Sequence, residues 1–254
     1  MADVLPERRE FKYLVPTRRI DAIRKAASGA CDPDCFAGPD GTYRIRSLYL
    51  DTDDLRLFKA NEREAPDRFK ARIRSYPASP MAPVFFEVKR RTLDIIRKAR
   101  APVPTHTWRN YLHLTGSRLE DPTLNAQLER FQTLQWMHDL RPKVLVEYRR
   151  EAYASRIEDY ARVTIDSQIC CQRANGYDLS AQPNQWRFVD HRWQTLTAEP
   201  VCVVELKFAN APPRWMVELV RSLELTRYAF SKYCFSMTAQ AHQPIAHGVQ
   251  AGWR

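Results

Sequence analysis

Glycine is scarce in this sequence, and the glycine-rich loops that bind nucleotide phosphates are missing. The 254-residue chain has 7 glycines. Neither G-x-G-x-x-G nor G-x-x-x-x-G-K-[ST] occurs in it. The sequence therefore argues against a dinucleotide-binding or P-loop site.

Cysteines and long apolar runs are also scarce. Six cysteines in 254 residues are too few for a disulfide scaffold, and Cys31 and Cys35 have no second pair at matching spacing to complete a zinc site. The longest apolar runs, such as 84–86 and 201–204, are too short to cross a bilayer. The N-terminal M-A-D-V-L-P-E-R-R-E has no apolar core typical of a secretory signal. We therefore expect a cytoplasmic protein without a membrane segment.

Acidic residues are too few to balance the basic ones. The chain has 40 lysines and arginines against 30 aspartates and glutamates, which gives a formal net charge of +10 at pH 7. This excess favours an anionic partner, which could be a phosphate compound, a nucleic acid or an anionic surface. Composition alone does not choose among the three.

The stretch 68–91 contains two segments in which charged and apolar residues alternate. In R-F-K-A-R-I-R-S-Y (68–76) four basic residues share one parity, and in P-V-F-F-E-V-K-R-R (83–91) Glu87, Lys89 and Arg91 share one. Side chains alternate across a strand, so each segment predicts a β-strand with one charged face, and a proline-rich hairpin joins the two. Four cations on one strand face repel each other unless an anion lies there.

Other segments extend this pattern along the chain. Further strands are predicted at 9–15, 43–51, 94–103, 143–154, 160–169 and 200–208, and helices from residue 16, at 55–64, 108–114 and 122–138, and from residue 211. No repeat or linker divides the sequence. We expect a single domain over residues 1–254, with its core at about 7–240 and a frayed tail at 241–254.

Eight strands of this kind can be arranged in two ways. Their charged faces can form an outer shell around an apolar core, or they can line the lumen of a closed barrel whose apolar exterior is covered by helices. Acidic and basic residues paired on single strand faces, and arginine and lysine concentrated in strands, favour the second. The predicted fold class is α+β, an eight-stranded antiparallel β-barrel with a polar, basic lumen and helices packed on the outside.

A basic lumen suits a chain of phosphates. Arginine makes bidentate contacts to phosphate oxygens, and lysine supplies a compact charge. The strand cations that would line the lumen are Lys12, Arg72, Arg74, Lys89, Arg149, Arg162 and Lys207. The strand carboxylates are Glu10, Glu87, Glu147 and Glu205. They would hold the cations in ion pairs or bind Mg²⁺ or Mn²⁺, which prefer carboxylate oxygen.

Seven short motifs, in order along residues 7–240, resemble the VTC catalytic domain. This is the polyphosphate polymerase domain of the vacuolar transporter chaperone, and it belongs with the triphosphate tunnel metalloenzymes of the CYTH-like superfamily. The motifs are E-F-K-Y at 10–13, S-L-Y-L-D at 47–51, R-I-R-S-Y at 72–76, E-V-K-R at 87–90, R-V-T-I-D at 162–166, V-E-L-K at 204–207 and F-S-K-Y at 230–233.

The resemblance implies an eight-stranded tunnel in which the γ-phosphate of ATP is transferred onto a polyphosphate chain, with Mn²⁺ or Mg²⁺ as cofactor. The implied catalytic phosphate contacts are Lys12, Arg72, Arg74, Lys89, Arg162, Lys207 and Lys232. Additional candidates for phosphate binding are Arg46, Lys70, Lys98, Arg149 and Ser231. The implied metal ligand is Glu205, with Glu87 and Glu147 as alternatives.

Two other functions stay open at this point. One is a metal-dependent inorganic or nucleoside triphosphatase, although Arg8 stands where the E-x-E-x-K signature of the CYTH group needs a glutamate. The other is a non-catalytic module that binds polyphosphate or RNA. A nucleic-acid surface would interleave exposed aromatic and basic side chains, whereas the aromatic residues here mostly lie on the opposite parity. We therefore expect ATP, triphosphate and polyphosphate as partners, rather than nucleic acid.

Overall fold

The alternating segments form the strands of one sheet in the computed structural model, which describes residues 8–93, 95–158 and 160–241. The strands are β1 (Arg8–Pro16), β2 (Cys31–Pro33), β3 (Tyr43–Asp51), β4 (Asp67–Ser75), β5 (Val84–Thr92), β6 (Ile95–Val103), β7 (Arg141–Ser155), β8 (Arg162–Arg173), β9 (Arg187–Phe188) and β10 (Val201–Ala209). The α-helices are α1 (Ile20–Ala30), α2 (Arg56–Glu62), α3 (Pro122–Met137), α4 (Arg192–Thr195), α5 (Arg214–Ser222) and α6 (Lys232–Ala241). Short 3-10 helices lie at Thr17–Arg19, Trp108–Tyr111 and Pro183–Gln185.

The sheet is antiparallel and open. Its strand order is β1-β10-β8-β7-β3-β4-β5-β6, with β2 paired to β7 and β9 paired to β8. The predicted α+β class is confirmed, but the prediction of a closed eight-stranded barrel is wrong, because the hydrogen-bonded path has two ends and the described residues form ten strands. The two extra strands are only two or three residues long, too short to show an alternating pattern.

Side chains bring the two ends of the sheet together where backbone pairing does not. Lys89 on β5 lies 3.3 Å from Glu10 on β1, although five strands separate them in the sheet order. The sheet therefore curls, and the face that carries these two residues is its inner face. The charged faces of β1, β4, β5 and β10 point inward, as the sequence analysis favoured, whereas Arg46 of β3 and Arg149 of β7 form their pairs on the other face.

Apolar side chains cover the outer face in two clusters. Helix α3 packs Leu128 and Phe131 against Phe86 of β5 and its neighbours. Asp121 starts this helix by accepting hydrogen bonds from the backbone N–H groups of Thr123 and Leu124. Helices α1 and α5 cover β1, β10 and β8 in the second cluster. These three helices lie on the outside, as predicted.

Helix α6 differs, because it packs against the inner face. Tyr233 of α6 stacks on Tyr49 of β3 with ring centroids 5.1 Å apart, in a third buried cluster with residues of β3, β7 and β8. One part of the inner face is therefore apolar and covered by α6, and the remainder is charged. This division was not predicted from the sequence.

Some predicted boundaries change in the structure. The helix predicted at 108–114 is only the 3-10 turn Trp108–Tyr111. The predicted tail falls mainly on residues 242–254, which lie outside the described residues. Within the described part of the chain, no helix combines the length and apolar character needed to span a membrane.

Candidate functional site

Strand register aligns three lysines in one row across the inner face. Lys70 on β4 lies opposite Lys89 on β5, which lies opposite Lys98 on β6. Like charges directly opposite each other destabilise a sheet unless another charge compensates them. We call these three residues the lysine row. The inner face as a whole we call the cationic face, defined by Lys12, Lys70, Arg72, Arg74, Lys89, Lys98, Arg100, Arg150, Lys207 and Lys232.

The lysine row is only weakly compensated by acids. Lys89 contacts Glu10 at 3.3 Å, whereas the hydrogen-bond partner of the Lys70 ammonium is the Ser231 hydroxyl, 2.9 Å away. Burial, with added repulsion from Lys12 and Lys89, lowers the pKa of Lys70 to about 8. A row of partly exposed, partly compensated cations favours an incoming anion.

Glu87 lies at the centre of the next row. Its carboxylate accepts a hydrogen bond from Arg72 Nε at 2.6 Å, and it lies 3.3 Å from Arg100, 3.5 Å from Lys98 and 3.6 Å from Arg74. Burial alone would raise the pKa of Glu87, but these surrounding cations hold it well below its usual range. The glutamate therefore acts as a fixed anion that orients guanidinium groups.

Glu205 on β10 forms a second centre of the same kind. It lies 2.8 Å from Lys207, 3.2 Å from Lys12, 3.5 Å from Lys232 and 3.7 Å from Arg150. Burial opposes ionisation, yet the four cations keep the pKa of Glu205 well below its ordinary value. Two acids therefore organise most of the cations on the inner face.

Asp166 on β8 supports the second centre. It accepts two hydrogen bonds from the Arg150 guanidinium, at 2.6 and 2.7 Å, and it pairs with Lys232. The cations outweigh burial and keep the pKa of this fully buried carboxyl low. Asp166 thus fixes one residue of β7 and one of α6 beside Glu205.

The carboxylates of Glu10 and Glu205 share one cation. Lys12 lies 3.2 Å from each of them. Carboxylate oxygens are the donors that Mg²⁺ and Mn²⁺ prefer, so the chemistry of this pair fits such an ion. The described residues contain no group of three metal-ligating side chains, and phosphate oxygens of a bound ligand would have to complete the coordination.

The structure brings together most of the residues proposed from the sequence. Those on the cationic face, or at its edge, are Lys12, Lys70, Arg72, Arg74, Lys89, Lys98, Lys207, Ser231 and Lys232, together with Glu87 and Glu205. Arg162 is exposed and lies opposite Lys207 in the register of β8 and β10. These residues come from six strands, from helix α6 and from the residue that precedes it.

Three candidates, Arg46, Glu147 and Arg149, lie on the outer face instead. Arg46 donates to Glu147 at 2.8 Å, and Arg149 donates to Asp40 at 2.7 Å. Both parities of β7 carry charged residues, since Arg149 and Arg150 are adjacent, so alternation could not tell which parity faces inward. The structure turns Arg150 and Tyr148 to the inner face.

Tyr148 and Arg150 were missed by the sequence analysis. Tyr148 is buried, and its hydroxyl accepts from Arg74 at 3.5 Å, while Lys232 lies over its ring at 4.8 Å. Burial raises the pKa of Tyr148, but the cations outweigh it and lower the pKa overall. The available signal was the R-R pair at 149–150, which places a cation on each face.

A buried hydrogen bond anchors α6 beside the site. Asp51 accepts from the backbone N–H groups of Leu57 and Phe58, each at 2.8 Å, and from the Tyr233 hydroxyl. The motifs S-L-Y-L-D and F-S-K-Y therefore meet through their last residues. Because Lys232 precedes Tyr233, the bond to Asp51 also positions the Lys232 ammonium.

We expect Tyr233→Phe to lower the free energy of unfolding by about 2 kcal/mol, because it removes one hydrogen bond to a buried carboxylate. Denaturant titration measures this loss. Tyr228→Phe is the matched control, since Tyr228 is 45% exposed, and it should change stability little. Equal effects of the two substitutions would contradict the anchoring role.

A cavity of about 890 Å³ lies away from this site. It is lined by residues of α3, the start of β7 and the loop at 112–115, including Gln135, Trp136 and Tyr177. None of the residues that define the cationic face lines it. This cavity is therefore separate from the place where the charges converge.

The geometry identifies the class of protein, which is one built on a curled antiparallel sheet whose inner face is organised to bind an anion. The chain belongs to the VTC domain family, whose model matches residues 7–240, and the resemblance seen in the motifs is thereby confirmed. No curated protein matches the sequence.

Three solved structures are similar to this chain at low sequence identity. A candidate adenylate cyclase from Bacillus halodurans is 12% identical, with 87% of this chain and 92% of that chain covered and a TM-score of 0.48. The PH1819 protein from Pyrococcus horikoshii OT3 is 11% identical, with 92% and 99% covered and a TM-score of 0.46. A candidate adenylate cyclase from Vibrio parahaemolyticus is 11% identical, with 90% and 96% covered and a TM-score of 0.46.

Proposed function

We propose that this protein is an ATP-dependent polyphosphate polymerase that transfers the γ-phosphate of ATP to a polyphosphate chain on the cationic face. Membership of the VTC domain family supports a triphosphate-binding or polyphosphate-related function. The observation that carries the proposal is the lysine row beside the arginines that Glu87 orients. Such an array matches the repeated negative charges of a phosphate chain.

The reaction needs charge neutralisation more than proton transfer. A terminal oxygen of the polyphosphate chain attacks the γ-phosphorus, the bond to the β,γ-bridging oxygen breaks, and ADP leaves. The attacking oxygen is already an anion, so no side chain has to remove a proton from it. Lysines and arginines would hold donor and acceptor together against their mutual repulsion and stabilise the charge in the transition state.

The inner acids would orient these cations, and two of them would hold a divalent ion. Glu205 and Glu10 would bind Mn²⁺ or Mg²⁺ together with phosphate oxygens, and the ion would supply further neutralisation of the phosphate charge. Glu87 and Glu205 each lie among four cations, but Glu205 shares Lys12 with a second carboxylate, Glu10, and Glu147 lies on the outer face. We therefore assign the metal to Glu205 rather than to these two.

RNA binding is less well supported by the inner face. Tyr49 and Tyr148, which contact Arg72 and Arg74 there, are 4% and 2% exposed, and the Arg100 guanidinium covers the ring of Phe85 at 3.8 Å. Bases bind single-strand sites by stacking on accessible aromatic rings. A polymer without bases, such as polyphosphate, suits these charges better.

The test is product analysis by gel after incubation with ATP and Mn²⁺. Long-chain polyphosphate, with one ADP released for each phosphate added, supports the proposal. Orthophosphate without chain growth would identify a triphosphatase, and binding of tripolyphosphate without turnover would identify a binding module. Either of these outcomes contradicts polymerase activity.

We expect the affinity for tripolyphosphate to fall as the pH rises through about 8. The pKa of Lys70 is lowered to about 8, so this ammonium loses its proton there and the cationic face loses positive charge. Lys70→Arg should flatten the fall, because arginine stays protonated, whereas Lys25→Arg on the exposed side of α1 should not. Isothermal calorimetry across this range measures the effect, and an identical pH profile for Lys70→Arg would contradict it.

A further inference from the structure

The turn between β5 and β6 exposes aliphatic side chains that the fold does not bury. Leu93 is 68% exposed, Ile95 60% and Ile96 41%. Asp94, between them, lies outside the described residues. We call Leu93, Ile95 and Ile96 the apolar tip. Clustered exposed hydrophobic residues of this kind mark contact surfaces more often than singly scattered ones do.

The apolar tip is exposed on both sides of the hairpin. Ile95 and Ile96 are successive strand residues, so their side chains leave opposite faces of the sheet. A protein that packed against one face would leave the other isoleucine in water. An apolar environment that surrounds the tip would cover the side chains of both Ile95 and Ile96.

The backbone conformation at Leu93 is one that favours a different type of residue. Its φ is 53°, in the left-handed region that costs a side chain of this type about 1 to 2 kcal/mol. Hairpin turns usually place glycine, asparagine or aspartate in that conformation. The leucine at this turn is mostly exposed and adds little to the core, so its side chain suits a contact outside the fold.

Basic residues surround the base of the hairpin. Arg90 lies opposite Arg97, and Arg91 lies opposite Arg68. Opposed like charges cost stability in a strand pair; Arg90 is paired with Asp67 and Lys98 with Glu87. We call Arg68, Arg90, Arg91, Arg97 and Lys98 the basic collar. A plane of negative charge beside the collar would relieve its repulsion.

We propose that this hairpin docks the protein on an anionic lipid surface. The apolar tip enters the boundary between headgroups and acyl chains, and the basic collar contacts the lipid phosphates. Lys89 and Lys98 belong to the same hairpin, so docking brings the edge of the lysine row to the membrane. This inference does not depend on the enzymatic activity.

Vesicle sedimentation tests the proposal. The full chain should bind vesicles of phosphatidylcholine with phosphatidylserine, and bind vesicles of phosphatidylcholine alone more weakly. Leu93→Asn should reduce binding about tenfold, because it removes one large aliphatic side chain from the interface. Asparagine tolerates the left-handed backbone, so this variant should fold at least as well. Arg97→Ser should lower the affinity for these vesicles, and the affinity should then depend less on salt concentration, because one charge fewer contacts the lipid phosphates.

Leu196→Asn is the matched control. Leu196 is 91% exposed and also has a left-handed backbone, with φ of 54°, but it lies at the end of α4. It should leave vesicle binding unchanged. Arg72→Ala should lose tripolyphosphate binding and keep vesicle binding, which separates this proposal from the proposed function.

Three results would overturn the docking proposal. The first is unchanged vesicle binding by folded Leu93→Asn, and the second is an equal loss in Leu196→Asn. The third is a loss of vesicle binding in Arg72→Ala with none in Leu93→Asn, which would show that lipid headgroups enter the cationic face instead. A change of oligomeric mass in Leu93→Asn, measured by light scattering, with vesicle binding unaltered would assign the tip to a protein contact.

Discussion

Arg72→Ala is expected to weaken tripolyphosphate binding about 100-fold while the protein stays folded. Arg72 projects from the middle of β4, and its guanidinium is fixed by Glu87 at 2.6 Å and by the Tyr49 hydroxyl at 3.0 Å. A preorganised guanidinium makes strong charge-assisted hydrogen bonds to phosphate, and their loss costs about 2 to 3 kcal/mol. Calorimetry measures the affinity.

The fold should survive this substitution because Glu87 keeps other partners. Arg100 lies 3.3 Å from it and Lys98 3.5 Å. Arg44→Ala is the matched control, since Arg44 also pairs with a glutamate, Glu147, but lies on the outer face and is 57% exposed. Unchanged affinity in a folded Arg72→Ala protein, or an equal loss in Arg44→Ala, would refute the assignment of the cationic face.

Glu205→Gln is expected to lower the free energy of unfolding by about 3 to 5 kcal/mol. Four cations share this buried carboxylate, and removing its charge leaves them facing each other without a central anion. Tripolyphosphate should stabilise this variant more than it stabilises the unmodified protein, because the ligand restores negative charge among the same cations. Thermal unfolding with and without tripolyphosphate measures both effects.

Glu151→Gln provides the comparison for this second prediction. Glu151 is also buried, but it faces outward and pairs with one cation, Arg24, through hydrogen bonds of 2.6 and 2.9 Å. Its loss should cost less, and tripolyphosphate should not compensate for it. If both glutamine variants lost the same stability and gained equally from the ligand, Glu205 would not be the organising anion of the site.

Strands β4 and β7 show how well the alternation of charged and apolar residues predicts which side chains lie on the inner face. In β4 every residue of one parity from 68 to 74 is basic, and the opposite parity is apolar, so the face was unambiguous, and Lys70, Arg72 and Arg74 lie where the pattern put them. In β7 both parities carry charge, and the prediction chose Arg149 where the structure uses Arg150. A pattern separates the two faces of a strand only when one of them is free of charge, and it does not say which face turns inward: Arg46 of β3 points outward although its neighbours Ile45 and Ser47 are uncharged.

The sequence by itself determined the class and the positions of the long strands, and its excess of basic residues predicted an anionic ligand. These follow from local periodicity and from composition, which depend on neighbouring residues and on totals. Tertiary structure alone decided that the sheet stays open between β1 and β6, that α6 packs inside, and that Glu87 and Glu205 each gather four cations. Those properties depend on contacts between residues far apart in the chain, such as Lys89 with Glu10 and Tyr233 with Asp51, and strand pairing and curvature, rather than periodicity, bring such residues together.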